Sequence, residues 1–497
     1  MPPEAEPTPI PTQQELPGPR RTYALGCIIL LALALFLWKA SIATRQPFFS
    51  GDAGHRMNNA HRVLARLGNR VWLPYLQTHV WAFYRLKLPY ESYQLIPCFY
   101  FFLAVLMLGL LGYRIIGRTY LGLLFTLAVM LCFAQQQQVA SLSVKLYQEI
   151  TGIALFYALL YAGALELRKR PLLLLIGGAA LLARDTFWIY LLSLTLLNWK
   201  AILSGRSYRV SFLILWAIPV LWLLAAPLGY LVDEGRLPAF PVEWPLGINR
   251  EEGPAVTHIS TTLHSLWAAV SSSRVVYLLA AVALAWVVNG LNGRSGARAP
   301  GAQAEEFVSR FKAFSLLSLA IVYGLIVAFD PWRRTYGNPR MALPLLEHVY
   351  IWMLIAIAAT FSYRGAFKYL ARATLLAGLL LGVDTQIGAW APQRSPLSES
   401  IYPEIARLVR ESSPGARPVV CFGGGENYFV TLQRFLAPTL YAQRRFLPRD
   451  TGTVPQECSL LISFSASRPP DAGNFVPVRE YRIEKQSYLI YQRRRPQ

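Results

Sequence analysis

The residue best placed to do chemistry is Asp52, in Phe49-Ser50-Gly51-Asp52-Ala53-Gly54-His55-Arg56. It follows the first apolar run by a few residues, so its carboxylate sits at the depth of a membrane surface, where a general base could meet a lipid-linked substrate. An Asp ahead of a helix is also a common N-cap, and capping as its only job is the plain alternative. Other acidic residues share its side of the apolar runs, among them Glu149, Asp185 and Asp330, whereas Glu166, Glu305 and Glu306 fall on the opposite side. His55, His61 and His79 match no zinc spacing, so no metal or other cofactor is expected and structural roles suit them. Gly423-Gly424-Gly425, ahead of a predicted short helix at Glu426 to Phe435, reads as a tight turn rather than a phosphate cradle.

The elements that must position Asp52 come from the first loop, residues 44–92. Met57, Ala60, Leu64, Leu67 and Val71 recur at three- and four-residue spacing, and Arg62, Arg66 and Arg70, with His55 and Asn59, project from the opposite side of the same wheel. That pattern predicts an amphipathic helix lying in the interface. A second interfacial segment, Trp72 to Leu86, mixes Trp72, Tyr75, Trp81 and Tyr84 with His79 and Arg85. Bracing the bundle is the plain role for this loop.

The rest of the chain is a membrane protein. Of 497 residues 54% are hydrophobic and 15% charged, and the mean hydropathy is +0.35, which excludes a soluble globular enzyme. The net charge of +21 comes with no zinc knuckle, RNA-binding signature or helix-turn-helix spacing, so no nucleic-acid partner is expected. The run from Tyr23 to Ala43 is roughly 20 residues, enough to cross ~30 Å of hydrocarbon. It exceeds the ~7–15 residue core of a cleaved signal peptide. Further runs near 93–113, 119–134, 150–165, 171–183, 187–199, 211–231, 266–290, 313–329, 343–361 and 370–388 predict an all-α polytopic bundle of about 11 transmembrane helices.

With the amino end in the cytoplasm, the short cytoplasmic loops 113–119, 166–170, 199–210 and 362–372 hold 11 Lys/Arg in 35 residues, against 5 in 32 for the opposite short loops. The positive-inside rule favours that orientation. The predicted organisation is a disordered cytoplasmic tail at 1–22, a transmembrane domain at 23–390 and, at 391–497, a small α/β soluble domain on the outer face of the plasma membrane. Arg417 to Phe422 and Ser459 to Phe464 read as strands, and Phe475 to Ile483 with Gln486 to Arg493 as a hairpin around Glu484-Lys485. Cys421 and Cys458 lie beside these strands, either bridged or as two buried thiols.

A first outer loop with an Asp shortly after the first span, followed by membrane-parallel segments, resembles the GT-C superfamily of integral membrane glycosyltransferases. The nearer likeness is to its bacterial branch, related to the dolichyl-phosphate-mannose protein mannosyltransferases and the aminoarabinose transferases. Tyr147-Gln148-Glu149 is similar to that family's second-loop carboxylate, and Ala183-Arg184-Asp185-Thr186 to its Arg-acidic pair. Asn338-Pro339-Arg340-Met341-Ala342-Leu343-Pro344 resembles its Arg-Tyr-x-x-x-Pro element, with Met341 in place of Tyr. Asp52 departs from the pattern in being followed by Ala53 rather than an acidic partner.

The resemblance implies an inverting glycosyltransferase with a polyprenyl-phosphate sugar donor, a lipid, glycan or protein acceptor and surrounding membrane lipids as its partners. The leaving phosphate needs compensating positive charge, for which Arg340, Arg184, Arg333 and Arg334 are the candidates, the last two alternatively solvating their loop. Asp52 becomes the base, Glu149 or Asp185 its helper, and His55 and Arg56 line the acceptor or interface side. The rival reading is a transporter or flippase for a lipid-linked substrate, which would also use intramembrane charges; a non-catalytic scaffold whose outer domain binds a partner is a third.

Overall fold

In hydrocarbon a backbone can satisfy its own N–H and C=O groups only as a helix or a closed barrel, so apolar runs of this length become helices. The computed structural model describes residues 18–45, 52–64, 66–67, 70–117, 119–167, 170–234, 255–291, 302–329, 342–361, 363, 366–383, 401–412, 418–423, 435, 438–447, 454–464, 474–483 and 486–494. In chain order come α1 (Gly18–Arg45), α2 (Asp52–Asn58), β1 (Arg66–Leu67), β2 (Arg70–Val71) and α3 (Pro74–Arg85). A 3-10 turn at Tyr90–Gln94 leads into α4 (Leu95–Ile116), α5 (Tyr120–Gln135), α6 (Gln137–Leu142), α7 (Gln148–Tyr161), α8 (Arg170–Ala183), α9 (Thr186–Leu197) and α10 (Trp199–Ser204). The bundle closes with α11 (Arg206–Glu234), α12 (Ala255–Ser272), α13 (Val275–Leu291), α14 (Ala302–Phe329), α15 (Leu343–Thr360) and α16 (Phe367–Gly382).

Each predicted apolar run overlaps a helix, but fewer than eleven have the length of a full span. Among the described residues five qualify by length and composition: Thr22–Thr44, Tyr90–Ile116, Arg206–Ala225, Glu305–Val327 and Leu343–Thr360. Helices such as α5, with 16 residues, and α9, with 12, rise only about 24 and 18 Å. The run at 266–290 is not one straight span: the helices Thr262–Ser272 and Val275–Val288 meet at 85°. Arg274 takes the positive φ of 59° that the corner needs. The corner is held from two sides, Gln136 Nε2 donating to the buried Ser273 O at 2.8 Å and Arg274 Nη1 to Val383 O at 2.7 Å.

The first loop corrects the sequence reading. The predicted helix over Met57 to Val71 stops at Asn58, turns through residues 59–64, and gives way to an antiparallel pair in which Leu67 faces Arg70. The helical spacing of the apolar residues is real, but Gly68-Asn69 is a dipeptide suited to a two-residue hairpin turn, and Gly is a poor helix interior. The second predicted segment does form, as α3, which starts with Pro74 in its first turn where a missing N–H costs nothing.

Beyond the bundle lie α17 (Tyr402–Ser412), β3 (Val419–Gly423), β4 (Gln443–Leu447), β5 (Leu460–Phe464), β6 (Phe475–Ile483) and β7 (Gln486–Arg493). The five strands form one sheet in the order β4-β3-β5-β7-β6, with β3 parallel to β4 and β5 and the rest antiparallel. Period-2 alternation gives it two apolar faces. Val420, Phe422, Leu460, Ile462, Tyr488 and Ile490 share a cluster with Ile405 and Leu408 of α17 that is continuous with the membrane bundle, while Cys421, Leu461 and Tyr491 pack on the other side. Cys421 and Cys458 are disulfide-bonded, with their Cα atoms 5.8 Å apart. Pro477 sits in β6, an edge strand, where a missing donor is tolerated. The predicted helix at 426–435 falls outside the described residues except for Phe435, as does Gly424-Gly425.

Candidate active site

Four elements converge at the end of the bundle that carries the first loop. The helix α2 begins at Asp52, whose side chain lies outside the described part of the structure, and one turn later presents Arg56, which is 2% exposed. Its guanidinium lies 4.5 Å from the centroid of Trp72 and donates from Nη2 to Gln148 Oε1 at 3.1 Å. Such a stacked cation is worth about 0.5–2 kcal/mol, and here it ties the first loop to the start of α7. His55, also on α2, meets the edge of the same Trp72 ring at 6.1 Å.

A seven-residue helix cannot hold itself together in water, since nucleation costs more than so few bonds return. Its carbonyl end is instead satisfied by Gln77 of α3, fully buried, whose Nε2 donates to the carbonyls of Asn59 at 2.9 Å, Arg62 at 3.3 Å and Arg56 at 3.4 Å. Replacing Gln77 with Leu keeps the volume but removes this donor, leaving Asn59 O with Arg62 N–H alone, at a cost of about 1–3 kcal/mol. Hydrogen exchange of residues 52–62 in Gln77→Leu is expected to accelerate by tenfold or more while α4 and α15 keep wild-type protection.

The second contribution is the first turn of α7. Glu149 is 5% exposed and Gly152 stands three residues on, so the two lie on one face of the helix. That face meets Arg184: a Cβ on Gly152 would come within 3.0 Å of Arg184 Cδ. Glycine in a helix interior costs ~1 kcal/mol relative to Ala, and here it lets the arginine pass. Glu149 and Asp185 both lie within electrostatic range of the Arg184 guanidinium.

The third is the corner between α8 and α9. Arg184 points inward and is buried, while Asp185 is exposed and caps α9 by accepting from Thr186 N–H at 2.9 Å. The fourth is α15, where Glu347 is fully buried one turn inside the helix. Arg184 Nη1 donates to Glu347 Oε1 and forms an ion pair with it, and Tyr190 of α9 donates to Glu347 Oε2 at 2.6 Å. A charge at this depth is tolerated only when paired.

The structure thus brings Arg56, Glu149 and Arg184 to one end of the bundle and leaves Asp185 on its surface as a cap. Arg333, Arg334 and Arg340 all fall in residues 330–341, outside the described part. Glu347, Tyr190 and Gln77 were not singled out from the sequence. Glu347 had a usable signal, since a lone carboxylate inside an apolar span marks a functional position by default.

The tail packs directly over this end. Tyr441 stacks on Tyr84, 5.4 Å between centroids and 19° between planes, and its hydroxyl donates to Leu88 O. Burial raises the Tyr441 phenol above its ordinary value, which keeps the donor protonated. Arg444 Nη1 donates to Asn58 Oδ1 at 3.1 Å, joining β4 to the end of α2.

No family model matches the sequence, and no curated protein aligns with it significantly. By structure, the chain is similar in fold to ArnT from Cupriavidus metallidurans bound to undecaprenyl phosphate, with a TM-score of 0.57 at 10% identity over 94% of this chain and 98% of that one. Apo ArnT from the same organism gives 0.51 at 12% identity with the same coverage. At such identity the likeness is one of fold.

Proposed function

We propose that this chain is an integral membrane glycosyltransferase that moves a sugar from a polyprenyl phosphate to a lipid, glycan or protein acceptor on the outer face of the plasma membrane. The observation that carries the reading is the convergence of Arg56, Glu149 and the Arg184–Glu347 pair at the bundle end where α2 opens with Asp52. The likeness in fold to ArnT with undecaprenyl phosphate supports the donor class. The disulfide between Cys421 and Cys458 suits an oxidising compartment and so an outer-face domain at 391–497, with the bundle at 23–390.

In the reaction the acceptor oxygen or nitrogen attacks the anomeric carbon as the bond from that carbon to the phosphate oxygen breaks. The acceptor proton passes to the Asp52 carboxylate, with Glu149 or Asp185 positioning the acceptor. The electron pair of the broken bond leaves on the polyprenyl phosphate, whose charge is compensated by Arg340 with Arg184, Arg333 and Arg334. His55 and Arg56 stand on the acceptor side. The deciding experiment incubates the purified protein in liposomes with a radiolabelled polyprenyl-phosphate sugar and membrane extract. Label recovered in a new product supports the transferase, while lipid moved across the bilayer with no product replaces it with the transporter.

Arg340 has its own test. A guanidinium grips two phosphate oxygens through a fixed fork, which an ammonium cannot. Arg340→Lys is expected to weaken undecaprenyl phosphate binding about tenfold, the equivalent of ~1.4 kcal/mol, despite the retained charge. Unchanged affinity dismisses the assignment.

A further inference from the structure

The seam between α2 and the tail forms a half-open cavity of about 310 Å³. Met57 and Leu440 contribute apolar surface to its lining, and Tyr84, Asn58, His61, Gln443 and Arg444 line it as well. We infer that this cavity is a carbohydrate subsite for the acceptor, so that the acceptor presents a glycan to the enzyme; the inference rests on the transferase reading.

Three features point to a sugar. The volume lies at the lower end of the usual range for small-molecule sites, roughly 300–1,000 Å³. The lining combines an aromatic ring, which suits the apolar face of a pyranose, with amide, imidazole and guanidinium groups that offer donors and acceptors around a ring of hydroxyls.

Position supplies the third argument. Asn58 ends the helix that Asp52 begins, six residues away, which at 1.5 Å per residue is about 9 Å. A glycan seated at the seam would therefore reach back along α2 with a neighbouring unit at the proposed base. The Arg444–Asn58 hydrogen bond and the Tyr84–Tyr441 stack fix the two walls relative to each other. A tail docked in this way gives the enzyme a selectivity element built from both parts of the chain.

Gln443 allows a clean test because its side chain is exposed while its backbone carries the pairing with Val419. Wild type, Gln443→Ala and Gln443→Trp are prepared in nanodiscs. Saturation-transfer NMR is recorded with methyl glycosides and disaccharides of glucose, galactose, mannose and N-acetylglucosamine, and undecaprenyl phosphate affinity is measured in parallel. Wild type is expected to give saturation transfer to at least one saccharide. Gln443→Ala should weaken it severalfold and Gln443→Trp, which fills the mouth, should abolish it, with undecaprenyl phosphate affinity unchanged in both.

Saturation transfer that is equal in wild type and Gln443→Trp overturns the inference, and so does its absence for every saccharide while undecaprenyl phosphate still binds. Loss of undecaprenyl phosphate binding in wild type counts against the transferase reading alone, and the saccharide arm still decides the subsite.

Discussion

Replacing Asp52 with asparagine is expected to abolish sugar transfer while the protein still folds and still binds its donor lipid. If capping α2 were the whole task of Asp52, asparagine would do it nearly as well, and even complete loss of a cap costs only ~0.5–2 kcal/mol. A general base has no such substitute, because an amide cannot take the acceptor proton, and losing that assistance costs ~10²–10⁴-fold in rate. Transfer and undecaprenyl phosphate binding should be measured separately at matched folded yield. Transfer within a few fold of wild type would remove Asp52 from the role and pass it to Glu149, which the structure buries beside Arg184. Glu149→Gln is then the next variant to assay. Asp185 is the weaker heir, because its carboxylate is exposed and already engaged with Thr186 N–H.

The second large effect lies at the buried pair of Arg184 and Glu347. Removing one partner leaves the other charge buried and uncompensated, which costs about 3–5 kcal/mol, whereas removing both in favour of apolar side chains of similar volume is often neutral. Arg184→Met alone and Glu347→Leu alone are therefore expected to be strongly destabilised, by thermal unfolding in detergent, and the double variant Arg184→Met/Glu347→Leu to regain most of the loss. Additive losses in the double variant would show that the pair is not the main partner of either group. The same double variant also separates structure from function. If Arg184 serves only as a strut for Glu347, the repaired protein transfers sugar normally. If its charge also compensates the donor phosphate, the repaired protein is folded but binds undecaprenyl phosphate more weakly.

Much of the sheet was readable because its code is local. Phe475 to Ile483 and Gln486 to Arg493 are rich in β-branched and aromatic residues on either side of Glu484-Lys485, and the observed pairing of Ile483 with Gln486 follows from that spacing. The helix α17 carried an equally local signal in Tyr402, Ile405, Leu408 and Val409, all buried, and a search for three- and four-residue spacing in the tail would have found it. In β4 there is no comparable pattern, since Gln443-Arg444-Arg445 is polar. It is a strand because β3 offers it a parallel partner, Val419 opposite Gln443, and an edge strand can leave its outer face to water.

The apolar runs and the composition break ahead of the tail are properties of the chain alone, because burial in lipid selects helix-length apolar segments whatever they pack against. The partners inside the bundle are not. Arg184 and Glu347 are 163 residues apart, and Arg56 and Gln148 are 92 apart. Side chains so distant meet only after α7, α8 and α15 have packed, so neither composition nor periodicity encodes the pairing. Folding also decided the first loop. Residues 57–71 satisfy a helical wheel, yet Gly68-Asn69 favours a reversal and Gln77 supplies the donor that ends α2, so hydrogen bonding overrode periodicity there. The cavity at the seam exists for the same reason. Its two walls are brought together by the Arg444 to Asn58 contact, between residues 386 apart in the sequence, once the tail has docked.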